Sequence, residues 1–225
     1  MKLKALLLDL DGTLVDTAPD MVATLNRVLL NHKQVEADIP QASKLVSNGA
    51  KALLEFGFGE AFQNLSSDEL INEFLADYAE HVCVKSHLYD GMAEILDLCE
   101  KNKIRWGVIT NKPIELSKSL LEGLGLFKRC SILLGGDSLP VKKPDPAPLL
   151  HNCMVLNLAP SKCLYVGDHE RDIMAGNAAG MDTAAAIWGY IQKHENPEGW
   201  KAKYLTQTPQ GLKRLIEEKI EQPFT

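Results

Sequence analysis

Apolar positions along the chain follow two rhythms, and the change between them divides it. Leu6, Leu7 and Leu8 form a short unbroken run that reads as a strand buried on both faces of a parallel sheet, and it stops abruptly at Asp9 and Asp11. Between residues 17 and 86 the spacing is helical. Met21, Val22, Leu25, Val28 and Leu29 share one face of a helix with Pro19 in its first turn, Asp16 or Thr17 as its cap and an end near His32. Residues 40–58 predict a helix, a break at Ser47-Asn48-Gly49 and a further helical segment. Ser66 and Glu69 have capping-box spacing ahead of a third helix through Leu70, Phe74, Tyr78 and Val82.

From Tyr89 onward helix and strand alternate. Helices are predicted over residues 91–102 and 113–124, from Pro146, up to Gly180 and from Pro209, and strands over 104–109, 131–134, 163–166 and 183–187. Such alternation implies right-handed βαβ crossovers and a mostly parallel sheet covered on both faces. The expected fold class is α/β: a three-layer Rossmann-like core made by residues 1–16 and 87–225, with a helical cap, residues 17–86, inserted after the first strand.

Composition narrows the functional classes. A chain of 225 residues that is 45% hydrophobic and 24% charged is an ordinary soluble globular protein. A net charge of −6 and the lack of a basic stripe argue against a nucleic-acid partner, so positive charge for an anionic substrate must be local, from a metal and one or two lysines. Cys83, Cys99, Cys130, Cys153 and Cys163 are scattered, which predicts free thiols in a reducing cytoplasm rather than a disulfide frame or a zinc site. Lys2 and Lys4 precede leucines as in a signal peptide, but the acids at 9 and 11 interrupt that run, and no other stretch is long and apolar enough to span a membrane.

Candidate chemistry sits at the ends of the predicted strands. Asp9 and Asp11 should point the same way, with Leu10 opposed. Two such charges repel unless a hard cation such as Mg²⁺ lies between them. A plain polar turn is the alternative; a calcium loop is disfavoured because Leu14 and Val15 fill later ligand positions. Thr110-Asn111, Lys143-Pro144 and Gly167-Asp168 followed by Asp172 also lie at or just after strand ends. In a parallel sheet these ends form one edge, so the groups can converge there. Each also has an ordinary reading, as a helix cap for Thr110, Asn111 or Asp168 and as a loop for Lys-Pro.

This ordered set, Asp-x-Asp-Gly-Thr, Thr-Asn, Lys-Pro and Gly-Asp-x-x-x-Asp, resembles the haloacid dehalogenase (HAD) superfamily, and in particular its phosphatases. The resemblance implies Asp9 as a nucleophile forming an aspartyl phosphate and Asp11 as general acid and base. It implies a Mg²⁺ site from Asp9, the main-chain carbonyl of Asp11 and Asp168, with Asp172 orienting that shell or pairing with Lys143. Thr110 and Asn111 would bind the phosphoryl group, and Lys143 would neutralise it. Ser47, Asn48 and Gly49 are the candidate substrate loop of the cap. Within the superfamily, DTAPD, TNKP, GGDS, KPDPAPL and VGDHERD resemble phosphoglycolate phosphatases, whereas VSNGAKALLEFGFG, WGVITNKP and GYIQKHENPEGW are similar to N-acetylmuramate 6-phosphate phosphatases. The expectation is a monomer or homodimer that hydrolyses a small phosphate ester, with no nucleic-acid or membrane partner. A sugar-phosphate mutase is the other catalytic reading; a scaffold with a relic site is disfavoured because chemically competent residues fill every key position.

Overall fold

The computed structural model describes residues 3–221, so residues 1–2 and 222–225 of the expected core, Lys2 among them, lie outside the described part. The chain runs β1 (Ala5–Leu8), β2 (Val15–Asp16), α1 (Ala18–Asn31), α2 (Ile39–Ser43), α3 (Gly49–Phe58), α4 (Ser67–Glu80), β3 (His87–Leu88), α5 (Met92–Lys101), β4 (Arg105–Ile109), α6 (Ile114–Gly123), β5 (Leu133–Leu134), α7 (Ala147–Val155), β6 (Cys163–Gly167), α8 (Glu170–Ala178), β7 (Asp182–Ala186), β8 (Tyr204–Thr206) and α9 (Pro209–Glu221). Among the described residues no helix is long and apolar enough to cross a membrane.

Six strands pair in parallel in the order β5-β4-β1-β6-β7-β8. The chain winds outward from β1 through β4 to β5, crosses back over β1 to β6, and winds out the other way. That reversal beside β1 is where open α/β sheets leave a crevice at the carboxyl ends of their strands. Leu8 stands opposite both Val108 and Val166, so the chains leaving β1, β4 and β6 emerge side by side.

The four residues of β1 are fully buried, as a central strand covered on both faces requires. Leu6 and Leu8 pack into a cluster with α5, α6 and α9 on one face; Ala5 and Leu7 pack into a second with α7 and α8 on the other. These are the three layers. A third cluster, including Leu25, Leu29, Leu53, Phe74 and Tyr78, is built mainly from the segment between β1 and β3, with Leu116 of α6 buried in it and Tyr190 packed against it.

Three short strands fall outside the sequence pattern. β2 and β3 pair antiparallel, Val15 with Leu88 and Asp16 with His87, where the chain leaves the sheet and returns to it. β8 extends the sheet edge by three residues. Strands of two or three residues carry too few positions for alternation to register. The strand expected over 131–134 pairs with β4 at Leu133 and Leu134. Asp20 ties the departing and returning segments together, its carboxylate accepting the N–H groups of Val84, Lys85 and Ser86 at 2.8–3.0 Å.

Candidate active site

Asp9 follows β1 directly and is almost wholly buried, with its N–H bonded to the carbonyl of Val166. The next residues turn tightly. Gly12 has φ +81°, and a side chain there would collide with Asp168 and Tyr190, so only glycine lets the turn lie against them. Thr13 then reaches back to donate to Asp168 Oδ1 at 3.1 Å.

Lys143 arrives from the loop between β5 and α7. Its ammonium lies 2.8 Å from Asp9 Oδ1 and 2.7 Å from Asp172 Oδ1, and it donates to the Ile109 carbonyl and the Tyr165 hydroxyl. Asn111 fixes this arrival: its side chain accepts from the N–H of Lys143 and donates to the carbonyl of the same residue. The hydroxyl of Thr110 accepts the Lys112 N–H at 3.1 Å, which leaves its own proton to donate elsewhere.

Asp168 ends β6 and is not the cap of α8. That cap is His169, which forms a capping box with Asp172. The Asp168 carboxylate instead accepts from Thr13, from the Ser47 hydroxyl at 2.8 Å and from the N–H of Tyr190 at 3.0 Å. Asp9, Asp168 and Asp172 offer oxygens that all lie within 4.8 Å of one another. Burial is the main cause raising the Asp9 carboxyl above its ordinary range, with repulsion from Asp172 adding to it. Burial and then repulsion from Asp9 and Asp172 push the Asp168 carboxyl up to about 7. Asp9 and Asp172 share the ammonium of Lys143 while Asp168 pairs with no cation, so the trio is short of positive charge. An all-oxygen set with that deficit fits a hard divalent cation.

The carboxylate of Asp11 turns away from this trio. It accepts from the Thr17 hydroxyl at 2.6 Å and pairs with Lys112 at 3.0 Å. Thr17 therefore spends its hydroxyl on the acid rather than on α1, whose Ala18 N–H is bonded to Asp16 Oδ1. Lys112 is buried, and its ammonium lies 4.3 Å from the ring centroid of Tyr78 on α4.

The loop 46–49 lies against the start of α8. Besides Ser47 on Asp168, Asn48 Oδ1 meets His169 Nε2 at 3.0 Å, and Arg171 donates to the carbonyl of Ser47. Burial lowers the His169 imidazole to about 4, so the ring is neutral. Its Nδ1 accepts the Arg171 N–H, hence its Nε2 carries the hydrogen that Asn48 accepts. Gly49 has φ +83° and open space around it.

The family described as haloacid dehalogenase-like hydrolase matches residues 6–186. The chain belongs to the haloacid dehalogenase-like hydrolases. It is 40% identical over 212 residues to an N-acetylmuramic acid 6-phosphate phosphatase of Pseudomonas aeruginosa, covering 94% of each chain. It is also 40% identical over 209 residues to a phosphoglycolate phosphatase of Xanthomonas campestris pv. campestris, covering 93% of this chain and 94% of the other. Among solved structures, one described as a predicted phosphoglycolate phosphatase from Haemophilus somnus superposes with a TM-score of 0.85 at 29% identity, covering 96% of this chain and 98% of that one.

In this haloacid dehalogenase-like hydrolase the expected site residues Asp9, Asp11, Thr110, Asn111, Ser47, Asn48 and Gly49 line one cavity of about 490 Å³. Lys143, Asp168 and Asp172 adjoin it through their contacts with Asp9 and Ser47. Lys112, Arg171 and Tyr190 were not singled out from the sequence. Each lies inside a stretch that carries the family resemblance, TNKP, VGDHERD and GYIQKHENPEGW, but a lysine, arginine or tyrosine there is equally at home on the surface. Only the fold puts Lys112 against Asp11, Arg171 against Ser47 and the main chain of Tyr190 against Asp168.

Proposed function

We propose that this hydrolase is a phosphomonoesterase of the phosphoglycolate phosphatase kind, acting on a small phosphorylated metabolite through an aspartyl phosphate on Asp9. The observation that carries the reading is the meeting of Asp9, Lys143, Asp168 and Asp172 at the carboxyl edge of the sheet. Lys143 and the N–H of Leu10 hold Asp9 Oδ1, so Oδ2 is the oxygen that faces phosphorus for an in-line displacement. Asp11, held by Thr17 and Lys112, protonates the leaving alkoxide and then takes a proton from the water that hydrolyses the acyl phosphate. Thr110 and Asn111 present hydrogen-bond donors to the phosphoryl oxygens. Asp9, the main-chain carbonyl of Asp11 and Asp168 would hold a Mg²⁺, which would supply charge neutralisation for the phosphoryl group. Asp172 steadies that shell through Lys143.

Residues 17–86 act as a cap over a core of residues 1–16 and 87–225, and the contacts of Ser47 and Asn48 with Asp168 and His169 support a cap closed on the site. Closure excludes water and strengthens the electrostatic interactions inside. The free state of all five cysteines supports a reducing, cytoplasmic setting.

The test is Mg²⁺-dependent release of phosphate from p-nitrophenyl phosphate and 2-phosphoglycolate. Asp9→Asn should abolish turnover on both, and appreciable residual activity would remove Asp9 as nucleophile. A second reading, hydrolysis of N-acetylmuramate 6-phosphate, is favoured by the cavity. Its volume of about 490 Å³ falls within the roughly 300–1,000 Å³ of sites for larger ligands, and one wall is apolar, with Val46, Ile71, Phe74 and Leu75. A two-carbon acid fills only a small part of that space, so kcat/KM for the two phosphates decides between the readings.

A further inference from the structure

Four buried side-chain nitrogen or oxygen atoms lack a hydrogen-bond partner among the described residues: two belong to Asn152 in α7, and the other two are Tyr78 Oη and Arg171 Nε. Both of the latter residues line the cavity beside Asp9. Arg171 is the more telling, because it also carries a charge. Its guanidinium donates to the main-chain carbonyl of Ser47, yet Arg171 takes part in no ion pair among the described residues. The Asp9 carboxylate is near enough to feel this charge but makes no contact with it, and a buried N–H that no acceptor meets is costly unless a ligand completes it. The position narrows the ligand. The phosphoryl group already has Lys143 and the carboxylate-rich cation site, whereas Arg171 sits at the seam between the loop 46–49 and the start of α8, on a cavity wall shared with Ser47, Asn48 and Gly49. A planar fork of donors matches a planar carboxylate.

We propose that Arg171 recognises a carboxylate carried by the substrate, so that the site selects phosphate esters of carboxylic acids. This inference rests on the phosphomonoesterase reading above and adds a specificity residue to it. It fits both substrate readings, since glycolate and muramic acid each supply a carboxylate besides the phosphate.

The test compares kcat/KM within two pairs: 2-phosphoglycolate against 2-hydroxyethyl phosphate, which differ in that group alone, and N-acetylmuramate 6-phosphate against N-acetylglucosamine 6-phosphate, which differ in the lactyl ether that bears it. Wild-type enzyme should prefer the acid of at least one pair by about tenfold or more, and Arg171→Gln should shrink that ratio by about tenfold, chiefly through KM. Arg171→Lys, which keeps the charge and loses the fork, should give an intermediate ratio and serves alone if the glutamine variant does not fold. Equal losses on acid and uncharged partner, leaving the ratio unchanged in either variant, would overturn the assignment and leave Arg171 a positioning residue for the loop 46–49. Wild-type enzyme without preference for either acid would overturn it as well. Failure of the wild type to hydrolyse any of the four esters or p-nitrophenyl phosphate would instead remove the phosphomonoesterase reading, and this one with it.

Discussion

Asp168 shows how one carboxylate couples the site to pH. Its carboxyl is pushed up to about 7, mainly by burial, against an ordinary value of 3.8. Without a cation, the folded protein keeps a proton that the unfolded chain releases between those values. Stability therefore falls as pH rises from about 4 to about 7, and the contribution is fully lost above that. Thermal melting in a chelator across pH 4–8 should show this slope in the wild type and a weaker one in Asp168→Asn; a wild-type curve no steeper than the variant's would refute it. A divalent cation replaces the proton, so adding Mg²⁺ should raise Tm more at pH 8 than at pH 5. At Asp11 the expected readout is chemical. Asp11→Asn should slow alkyl phosphates about 10²–10⁴-fold and nitrophenyl phosphate much less, because nitrophenolate needs little protonation to leave. Equal losses would count against the acid role. Both carboxylates were legible in the sequence, since acids at the end of a buried strand have few other uses. Lys112 was not, because a lysine in a loop gives no sign of being buried until Asp11 and the ring of Tyr78 are beside it.

At the scale of elements, the departure of α1 from the sheet is fixed from a distance. The hydroxyl of Tyr190 donates to Asp16 Oδ1 at 2.6 Å and accepts the N–H groups of Thr17 and Ala18 at 2.7 and 2.8 Å. These are among the orphan donors at the start of a helix, so one side chain from the far end of the chain does the work of a local cap. Tyr190→Phe should cost about 1–3 kcal/mol, because it leaves buried polar groups without a partner. Denaturant unfolding measures this, and an unchanged midpoint would show that water replaces the hydroxyl. The helix itself was readable from the spacing of Met21, Val22, Leu25, Val28 and Leu29 and from Pro19. Asp16, one of the two expected caps, does bond the Ala18 N–H, but the hydroxyl that shares it was not readable, because Tyr190 is more than 170 residues away and local pattern carries no such information.

Across the whole molecule, the buried apolar residues of the sheet and those of α1–α4 fall into separate clusters. Leu53 belongs to the second and is fully buried. Leu53→Ala should cost about 2–5 kcal/mol through lost burial and the cavity left behind. If the two clusters melt apart, hydrogen exchange in this variant should accelerate at amides of residues 18–80 while β1, β4 and β6 keep their protection. Uniform loss of protection would mean that α1–α4 and the sheet unfold as one unit.

Sequence alone determined the parallel α/β core, the run of helices after the first strand and the acids that follow β1 and β6, because periodicity and strand termination are local properties. It also pointed to Asp9, Thr110 and Asp168 as residues that follow parallel strands directly and so reach the sheet edge, though not to Lys112, Arg171 or Tyr190. The tertiary structure decided what those groups do to one another: which carboxylates share Lys143, which way Asp11 faces, how Tyr190 reaches α1, and that Arg171 keeps an unspent donor. Those outcomes depend on distances between segments remote in the chain, and only packing in three dimensions sets such distances.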